Sequence, residues 1–246
     1  MLKILRAELH VHTLLSPCAG VEMIPPLIVR QAQAHGIDLI AVTDHNTSAN
    51  AGAVIEAAQG SGLVVLPGME LQTQEEVHLL CLFDTLQQAG AWETRVAAVY
   101  PDQPNDPEHF GEQYIVDASG EFLRSEPRLL LTSARLSLEE AVQGVTALGG
   151  LAIPAHINRP ANGLIAQLGL IPPIFEALEI SRHITPTQAR QRYPQIGALP
   201  LLQSGDVHFL DGFLGATRLA LETVSIAEIR MAIRGEGGRS MWVEQG

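Results

Sequence analysis

Short apolar runs that suit buried strands alternate with segments that suit helices along most of this 246-residue chain. Strands are expected near residues 2–12, 37–42, 63–66, 77–83, 151–156, 177–181, 200–208 and 218–221. Helices are expected at residues 25–34, 48–59, 86–100 and 137–148, and after residue 225. Parallel strands need a long crossover connection, which is usually a helix, so this alternation predicts an α/β fold with a parallel sheet or barrel.

Local signals mark where some of the helices begin and end. Pro25 and Pro26 suit a first helical turn, and Gly36 suits the position after a helix end. Ser137 and Glu140 form a capping box, in which a serine precedes a glutamate by three residues. A serine at position 225 is expected to cap the last helix.

One segment interrupts the alternation. Residues 101–128 are rich in Pro, Asp, Glu and Gly, and within them 114–117 and 121–123 flank a turn at 118–120, which predicts a small hairpin. We interpret the segment as an insertion over one face, so that residues 1–246 form a single domain.

Composition limits the partners of the chain. It is 46% hydrophobic and 17% charged, which predicts a globular protein. Its net charge of −12 argues against a general nucleic-acid coat, although a local patch around bound cations would be compatible with it. Two cysteines give no disulfide framework, and neither a signal peptide nor an apolar run of about 20 residues is evident, so we expect a cytoplasmic protein without a membrane partner.

Residues of the types that bind metals fall at the ends or beginnings of the expected strands. In the first strand, His10 and His12 are two residues apart, so an extended backbone directs both imidazoles to the same face. The full set is His10, His12, His45, Glu70, His78, His156, Asp206 and His208. In β/α barrels the active site lies at the carboxyl ends of the strands, so these side chains are expected to converge on a metal centre.

These residues closely resemble the PHP family, the polymerase and histidinol phosphatase domain of metal-dependent phosphoesterases. The matching motifs are Glu8-Leu-His-Val-His12 with Ser16-Pro-Cys18, Val42-Thr-Asp-His45, Pro67-Gly-Met-Glu70, Val77-His78, Pro154-Ala-His156 and Ser204-Gly-Asp-Val-His208. The resemblance implies a distorted seven-stranded (β/α)7 barrel whose cavity holds two or three divalent metal ions and hydrolyses phosphate esters.

The resemblance also implies how the ligands are shared. One ion would be held by His10, His12, Glu70 and Asp206. Glu70 would bridge to a second ion completed by His78 and His156, and His45 and His208 would hold a third. The family's ninth ligand is usually an aspartate or histidine, but here its place falls at or beside Cys18, with Glu22 on the same loop as an alternative.

Such a centre suits phosphoryl transfer. Two cations lower the pKa of a shared water towards about 7 and neutralise phosphate oxygens, so the expected reaction is attack of a bridging hydroxide on phosphorus. Nitrogen and oxygen ligands fit Zn, Mn or Fe, and the sequence does not choose among these metals. Glu70, Asp206 and His208 are the expected catalytic residues, and the expected substrate is a small phosphorylated molecule or a nucleotide.

Three further residues are candidates for binding the substrate. Arg159 follows His156 by three residues, where a guanidinium could clamp a phosphate. Arg182 and His183 follow the strand at 177–181 and are candidates for the same role.

Other classes remain open from the sequence. An amidohydrolase-like enzyme would also begin with a His-x-His strand, but its bridging group is commonly a carbamylated lysine, and Lys3, at the entry to the first strand, is the only lysine of this chain. A nuclease acting on single-stranded nucleic acid, or a non-catalytic module, is a further alternative. The sequence does not predict the oligomeric state.

Overall fold

The computed structural model describes residues 1–244. The strands within that range are β1 (Lys3–Val11), β2 (Leu39–Val42), β3 (Val64–Gln72), β4 (His78–Leu82), β5 (Tyr114–Val116), β6 (Phe122–Ser125), β7 (Leu151–Pro154), β8 (Leu178–Ile180), β9 (Leu201–Gln203), β10 (Thr217–Leu221) and β11 (Ser240–Val243). The helices are α1 (Pro25–Ala34), α2 (Ala51–Ala57), α3 (Leu86–Ala97), α4 (Pro107–Phe110), α5 (Leu138–Ala147), α6 (Leu164–Leu168), α7 (Pro186–Arg192) and α8 (Ile226–Arg234). Two 3-10 turns lie at Pro194–Ile196 and Leu210–Gly212.

Seven strands form one curled sheet in the order β11-β10-β1-β2-β3-β4-β7. β1, β2 and β3 are parallel, whereas β4 is antiparallel to both β3 and β7, and β10 is antiparallel to β1. β8 and β9 form a separate parallel pair, and a parallel bridge between Val11 and Val207 joins the chain after β9 to the end of β1. The architecture is therefore α/β with a half-barrel.

The expected parallel arrangement holds for only part of this sheet. Residues 73–77 connect β3 to β4 as a short turn without a crossover helix, so the two strands pair antiparallel. β10 and β11 extend the sheet beyond β1 as two further antiparallel strands, of which β11 was not predicted.

The helices with local sequence signals begin and end close to where they were predicted. The hydroxyl of Ser137 accepts from the backbone N–H of Glu140, and the Glu140 carboxylate accepts from Ser137 in return, which confirms the capping box. Ser225 accepts from the Glu228 N–H at the start of α8. Asn50 fixes the β5–β6 hairpin beside α2, because its side chain donates to the Tyr114 carbonyl and accepts from the Val116 N–H.

A register shift lies in β1, close to its carboxyl end. Pairing of β1 with β2 changes register between Glu8 and Val11. Leu9 packs inside the curled sheet with residues of α8, whereas Val11 packs outside with residues of α1 and α2. Strict alternation would place Leu9 and Val11 in one layer, but the register shift separates them and changes the direction of the strand end.

No helix within residues 1–244 is both long enough and apolar enough to cross a bilayer.

Candidate metal centre

The carboxylate of Glu70 lies at the centre of the site. It projects from β3, and the residue is 1% exposed. Its Oε1 atom lies 2.8 Å from Nδ1 of His78, 3.1 Å from Nε2 of His156 and 3.2 Å from Nε2 of His10. One oxygen therefore faces imidazoles from three different strands or strand ends.

The second oxygen of the same carboxylate faces other imidazoles. Oε2 of Glu70 lies 3.0 Å from Nδ1 of His45 and 3.4 Å from Nε2 of His12. A carboxylate whose two oxygens face separate groups of imidazoles has the arrangement of a bridging ligand. The resemblance implied a bridging Glu70 with a different division, in which His10 and His12 share one ion. Here His10 faces the same oxygen as His78 and His156, and His45 faces the oxygen near His12.

A second acidic residue closes one side of the cluster. Oδ1 of Asp206 lies 3.2 Å from Nε2 of His10 and 3.5 Å from Nε2 of His12, and these two nitrogens are 3.1 Å apart. Adjacent ligands bound about 2.0–2.1 Å from one ion lie about 2.8–3.4 Å from each other, by simple octahedral or tetrahedral geometry. His10, His12, Glu70 and Asp206 are thus spaced closely enough to share an ion.

His208 and Cys18 lie on the solvent side of His12 and His45. The His12 and His208 rings stack with centroids 4.1 Å apart, and one ring nitrogen from each of His12, His45 and His208 could contact one ion. Cys18 is exposed and lines the same cavity as His45. Glu22 is not among the residues lining the cavity in the described part of the chain, so Cys18 is the better placed of the two candidates.

Buried oxygens without hydrogen-bond partners show that the cluster suits cations. Among residues 1–244, Glu70 Oε2 and Asp206 Oδ1 are buried and accept no hydrogen bond, although imidazole nitrogens lie 3.0–3.5 Å away. An unsatisfied buried carboxylate oxygen is costly. A divalent ion between these oxygens and the facing nitrogens would satisfy both sets, so the residues present fit a metal centre.

Two of the predicted ligands have unusual backbone conformations. His156 has φ +28° and Asp206 has φ +52°, in the left-handed region that side-chain-bearing residues rarely adopt. Each stands just past a strand, β7 or β9. Strain of this kind clusters at functional sites, where it aims particular side chains.

Burial and mutual interactions set the charges of the cluster. Burial alone would raise the pKa of Glu70, but His78 and His10 hold it well below its usual value, so the carboxylate is ionised. Burial lowers the pKa of His78 to about 4 and that of His208 to about 3, which leaves both rings neutral as metal ligation requires. The carboxylates of Glu70 and Glu179 outweigh burial at His10 and raise its pKa.

Hydrogen bonds behind His12 fix its orientation. Asp44 Oδ1 accepts from the Ser16 hydroxyl at 2.7 Å, and Ser16 Oγ lies 3.0 Å from Nδ1 of His12. The hydroxyl has one proton, which it donates to Asp44, so it must accept from His12 Nδ1–H. This leaves His12 Nε2 free to bind an ion, as expected for an outer carboxylate that orients a ligand.

The three predicted substrate-binding residues line a cavity of about 850 Å³ above the cluster. Arg159 Nη1 donates to Oδ2 of Asp206 at 2.5 Å, on the side of that carboxylate away from His10. Arg182 Nη1 donates to the Gly212 carbonyl at 2.9 Å, and His183 is exposed in the wall.

Sequence reasoning missed one residue of the site, Glu179. It is 1% exposed, lines the cavity and lies 2.9 Å from His10 Nδ1. The available signal was a single carboxylate in the otherwise apolar strand between Leu178 and Ile180. Glu8 is also buried, and its carboxylate accepts backbone N–H groups of Gly205 and Gly215 inside the fold.

Comparisons with known proteins identify the family. The family model described as the PHP domain matches residues 8–158, more than half of the chain, so the chain belongs to the PHP family. No curated protein sequence matches it.

Solved structures share its fold. The lesion-specific endonuclease PfuEndoQ from Pyrococcus furiosus has a TM-score of 0.73 and 21% identity, over 97% of this chain and 58% of that one. Endonuclease Q in complex with a 27-mer duplex substrate bearing an abasic lesion at the active site has a TM-score of 0.69 and 20% identity, with the same coverage of 97% and 58%. A putative metal-dependent phosphoesterase from Bifidobacterium adolescentis has a TM-score of 0.56 and 21% identity, over 82% of this chain and 87% of that one. The chain therefore spans little more than half the length of the two endonuclease structures.

Proposed function

We propose that this protein is a metal-dependent phosphoesterase acting on a small phosphorylated molecule or a nucleotide. The observation that carries the proposal is the placement of Glu70, whose two oxygens face five imidazole nitrogens at 2.8–3.4 Å in a buried site. The family membership supports hydrolysis with divalent metals. Zn, Mn and Fe all fit the nitrogen and oxygen donors.

The chain would hold these ions through residues from seven parts of the fold. The proposed ligands are His10, His12, Cys18, His45, Glu70, His78, His156, Asp206 and His208. When bound, two such ions lower the pKa of a shared water towards about 7 and neutralise phosphate oxygens. Glu70, Asp206 and His208 are the proposed catalytic residues, since they surround the floor of the cavity where the phosphate would lie.

Arg159, Arg182 and His183 would orient the substrate. Arg159 uses one guanidinium nitrogen on Asp206, and its remaining N–H groups can contact a phosphate in the cavity. Arg182 holds the 3-10 turn at Leu210–Gly212 in place through the Gly212 carbonyl. Both arginines stand at the mouth, where a substrate phosphate would enter.

The test combines metal analysis with a substrate panel. We expect the purified chain to retain transition metal and to hydrolyse one of a set of phosphomonoesters, nucleotides and oligonucleotides with Zn, Mn or Fe. Glu70→Gln should abolish turnover and loosen two ions together. Glu56→Gln, on the exposed side of α2, is the matched control and should change neither property.

Three results would contradict the proposal. Activity that survives Glu70→Gln would show that Glu70 does not bridge. A preparation that never retains metal would remove the basis of the chemistry. Hydrolysis of a cyclic amide in place of any phosphoester would favour an amidohydrolase-like enzyme.

A nuclease acting on single-stranded nucleic acid is the second candidate, favoured by an aromatic ring at the mouth of the cavity. Phe209 follows the proposed ligand His208, lines the cavity and is 52% exposed. Stacking of a base on such a ring is worth about 1–3 kcal/mol. The fold similarity to Endonuclease Q accords with this candidate.

Binding of single-stranded DNA at several salt concentrations would separate the two candidates, because backbone contacts weaken steeply with salt. A nuclease should lose affinity on Phe209→Leu and keep it on Phe209→Trp. Phe122→Leu, at an equally exposed ring on the hairpin, is the control. Salt-independent or undetectable DNA binding would favour the small substrate.

We also propose that the fold is a complete distorted (β/α)7 barrel, as the family resemblance implies. Residues 1–246 would form one domain, with residues 101–128 as an insertion. We propose a cytoplasmic location for the protein.

A further inference from the structure

Glu179 is a buried carboxylate outside the proposed ligand set. It lies in β8 between the buried residues Leu178 and Ile180 and is 1% exposed. Burying a carboxylate costs several kcal/mol unless partners satisfy it. Its hydrogen bonds are all made by Oε2, whereas Oε1 is buried without a partner.

One oxygen of Glu179 accepts two hydrogen bonds. Oε2 lies 2.9 Å from Nδ1 of His10 and 3.0 Å from the backbone nitrogen of His156. Oε2 already accepts the His156 N–H, so Nδ1 of His10 acts as a second donor to the same oxygen. In the neutral ring that metal ligation requires, the lone pair of His10 is then on Nε2, the nitrogen that faces Glu70 and Asp206.

The second of these hydrogen bonds supports a strained position. His156 has φ +28°, and its N–H is held by the Glu179 side chain. The next N–H along the chain, that of Ile157, donates to the backbone carbonyl of Glu179 at 2.9 Å. Glu179 thus fixes the backbone just past β7, although β7 and β8 are not neighbours in a sheet.

We propose that Glu179 is a positioning residue for the metal centre. Through one oxygen it sets the tautomer and ring orientation of His10 and holds the backbone that aims His156. The ion near His10 and the ion near His156 then depend on the same carboxylate. This inference rests on the proposed metal centre, and it assigns no direct contact between Glu179 and an ion.

Three variants of Glu179 test separately its hydrogen bonds, its charge and the length of its side chain. Glu179→Ala removes both hydrogen bonds. Glu179→Gln keeps an oxygen that can accept both of them, without the charge. Glu179→Asp keeps the charge but is one methylene shorter, so it cannot reach both donors from the same backbone position. Glu176→Gln is the matched control, because its carboxylate pairs with Arg230 and Arg234 away from the cavity.

The readout is metal affinity on the full chain, measured by Zn²⁺ competition with a chromophoric chelator and by the absorption spectrum of the Co²⁺-loaded protein. We expect Glu179→Ala and Glu179→Asp to weaken binding about 10–100-fold and to change the Co²⁺ spectrum. Glu179→Gln should weaken binding less than either, and Glu176→Gln should not change it. Unfolding of the chelated proteins identifies a variant that fails to fold, in which case Glu179→Asp and Glu179→Gln decide the question.

Each outcome bears on a definite claim. Wild-type affinity and an unchanged spectrum in Glu179→Ala, or in Glu179→Asp if the alanine variant does not fold, would overturn the positioning role. A greater loss in Glu179→Gln than in Glu179→Asp would overturn it in favour of direct ligation by the charged group. A wild-type chain that binds Zn²⁺ but hydrolyses no phosphoester would overturn the proposed function and leave the positioning role in place. A wild-type chain that binds no divalent metal would overturn both.

Discussion

Asp206 combines a strained backbone with two separate contacts. Its φ is +52°, Oδ2 accepts from Arg159 and Oδ1 faces His10 and His12. Asn tolerates the left-handed region well, whereas a residue such as Ala loses about 1–2 kcal/mol there. The effect of the left-handed backbone at Asp206 and the effect of its charge can therefore be measured separately by mutation.

Asp206→Asn should weaken metal binding without unfolding the protein. Losing the partly exposed pair with Arg159 should cost at most about 1 kcal/mol in the unfolding free energy of the chelated protein. The ion held by His10 and His12 should bind more weakly, as seen in metal content after dialysis.

Asp206→Ala is the comparison, because it adds the backbone penalty to the loss of charge. Its chelated form should unfold at a lower denaturant concentration than that of Asp206→Asn. If Asp206→Asn retains the full metal content of the wild type, Asp206 is not a ligand.

At the scale of residues, the sequence identifies candidate ligands where residue type and local spacing are sufficient. His10 and His12 are identifiable from the alternation of an extended strand, and the structure brings them within 3.1 Å of each other. Glu179 is not identifiable in this way, because its partners belong to β1 and to the chain after β7. Contacts between distant strands depend on how the sheet curls, and a single sequence does not encode that in local patterns.

The close approach of β3 and β4 depends on a glycine. A Cβ at Gly68 would lie 2.8 Å from the Cys81 carbonyl oxygen and 3.2 Å from a methyl group of Thr43. The carbonyl belongs to the backbone of the neighbouring strand and cannot rotate away. Gly68 is also two residues before Glu70 on the same strand, so any displacement reaches the centre of the site.

Gly68→Ala should destabilise the protein by about 1–3 kcal/mol through overpacking. Gly90→Ala makes the same change inside α3, where a Cβ meets no atom of the described chain within 4 Å, and should stabilise it by about 0.5–1 kcal/mol. Urea unfolding measures the change in unfolding free energy of each variant, which should be a loss for Gly68→Ala and a gain for Gly90→Ala. Equal effects would mean that β3 moves freely relative to β4.

At the scale of elements, helices with local signals were predictable and several other elements were not. α1, α5 and α8 carry their own prolines, capping residues or terminal glycines. α7 also has such a signal, since Thr185 and Gln188 form a capping box, but it was overlooked. β11 is a short edge strand whose pairing with β10 has no local signature.

The candidate metal centre takes ligands from β1, β3 and β4 and from the segments after β2, β7 and β9. Removal of metal should therefore affect global stability. Binding of ions to the folded state alone adds RT ln(1 + [L]/Kd), about 4 kcal/mol at 1,000 times Kd. A protein of this size changes its Tm by about 2–4 °C per kcal/mol. We therefore expect a chelator to lower the Tm of the wild type clearly.

Glu70→Gln supplies the control for this measurement. The difference in Tm between metal-loaded and chelated protein should be small in that variant, because two ions lose a shared ligand. A chelator effect of wild-type size in Glu70→Gln would show that the stabilising ion binds elsewhere.

The overall class was predictable because strand and helix periodicities are local, whereas the direction of several strands was not. The turn at residues 73–77 reverses β4, and the family resemblance did not indicate this reversal. The seven-stranded sheet is consequently mixed, with its parallel pairs confined to β1–β3, and β8 and β9 form a parallel pair apart from it.

The bridge between Val11 and Val207 has a consequence for how the protein is made. On the ribosome, His10 and His12 are synthesised long before Asp206 and His208, so a nascent chain cannot bring these side chains together until residue 208 has emerged. Before that point, His10 and His12 lack Asp206 as an acidic neighbour. If the site binds metal as proposed, full metal affinity would therefore report that β1 and the chain after β9 have met.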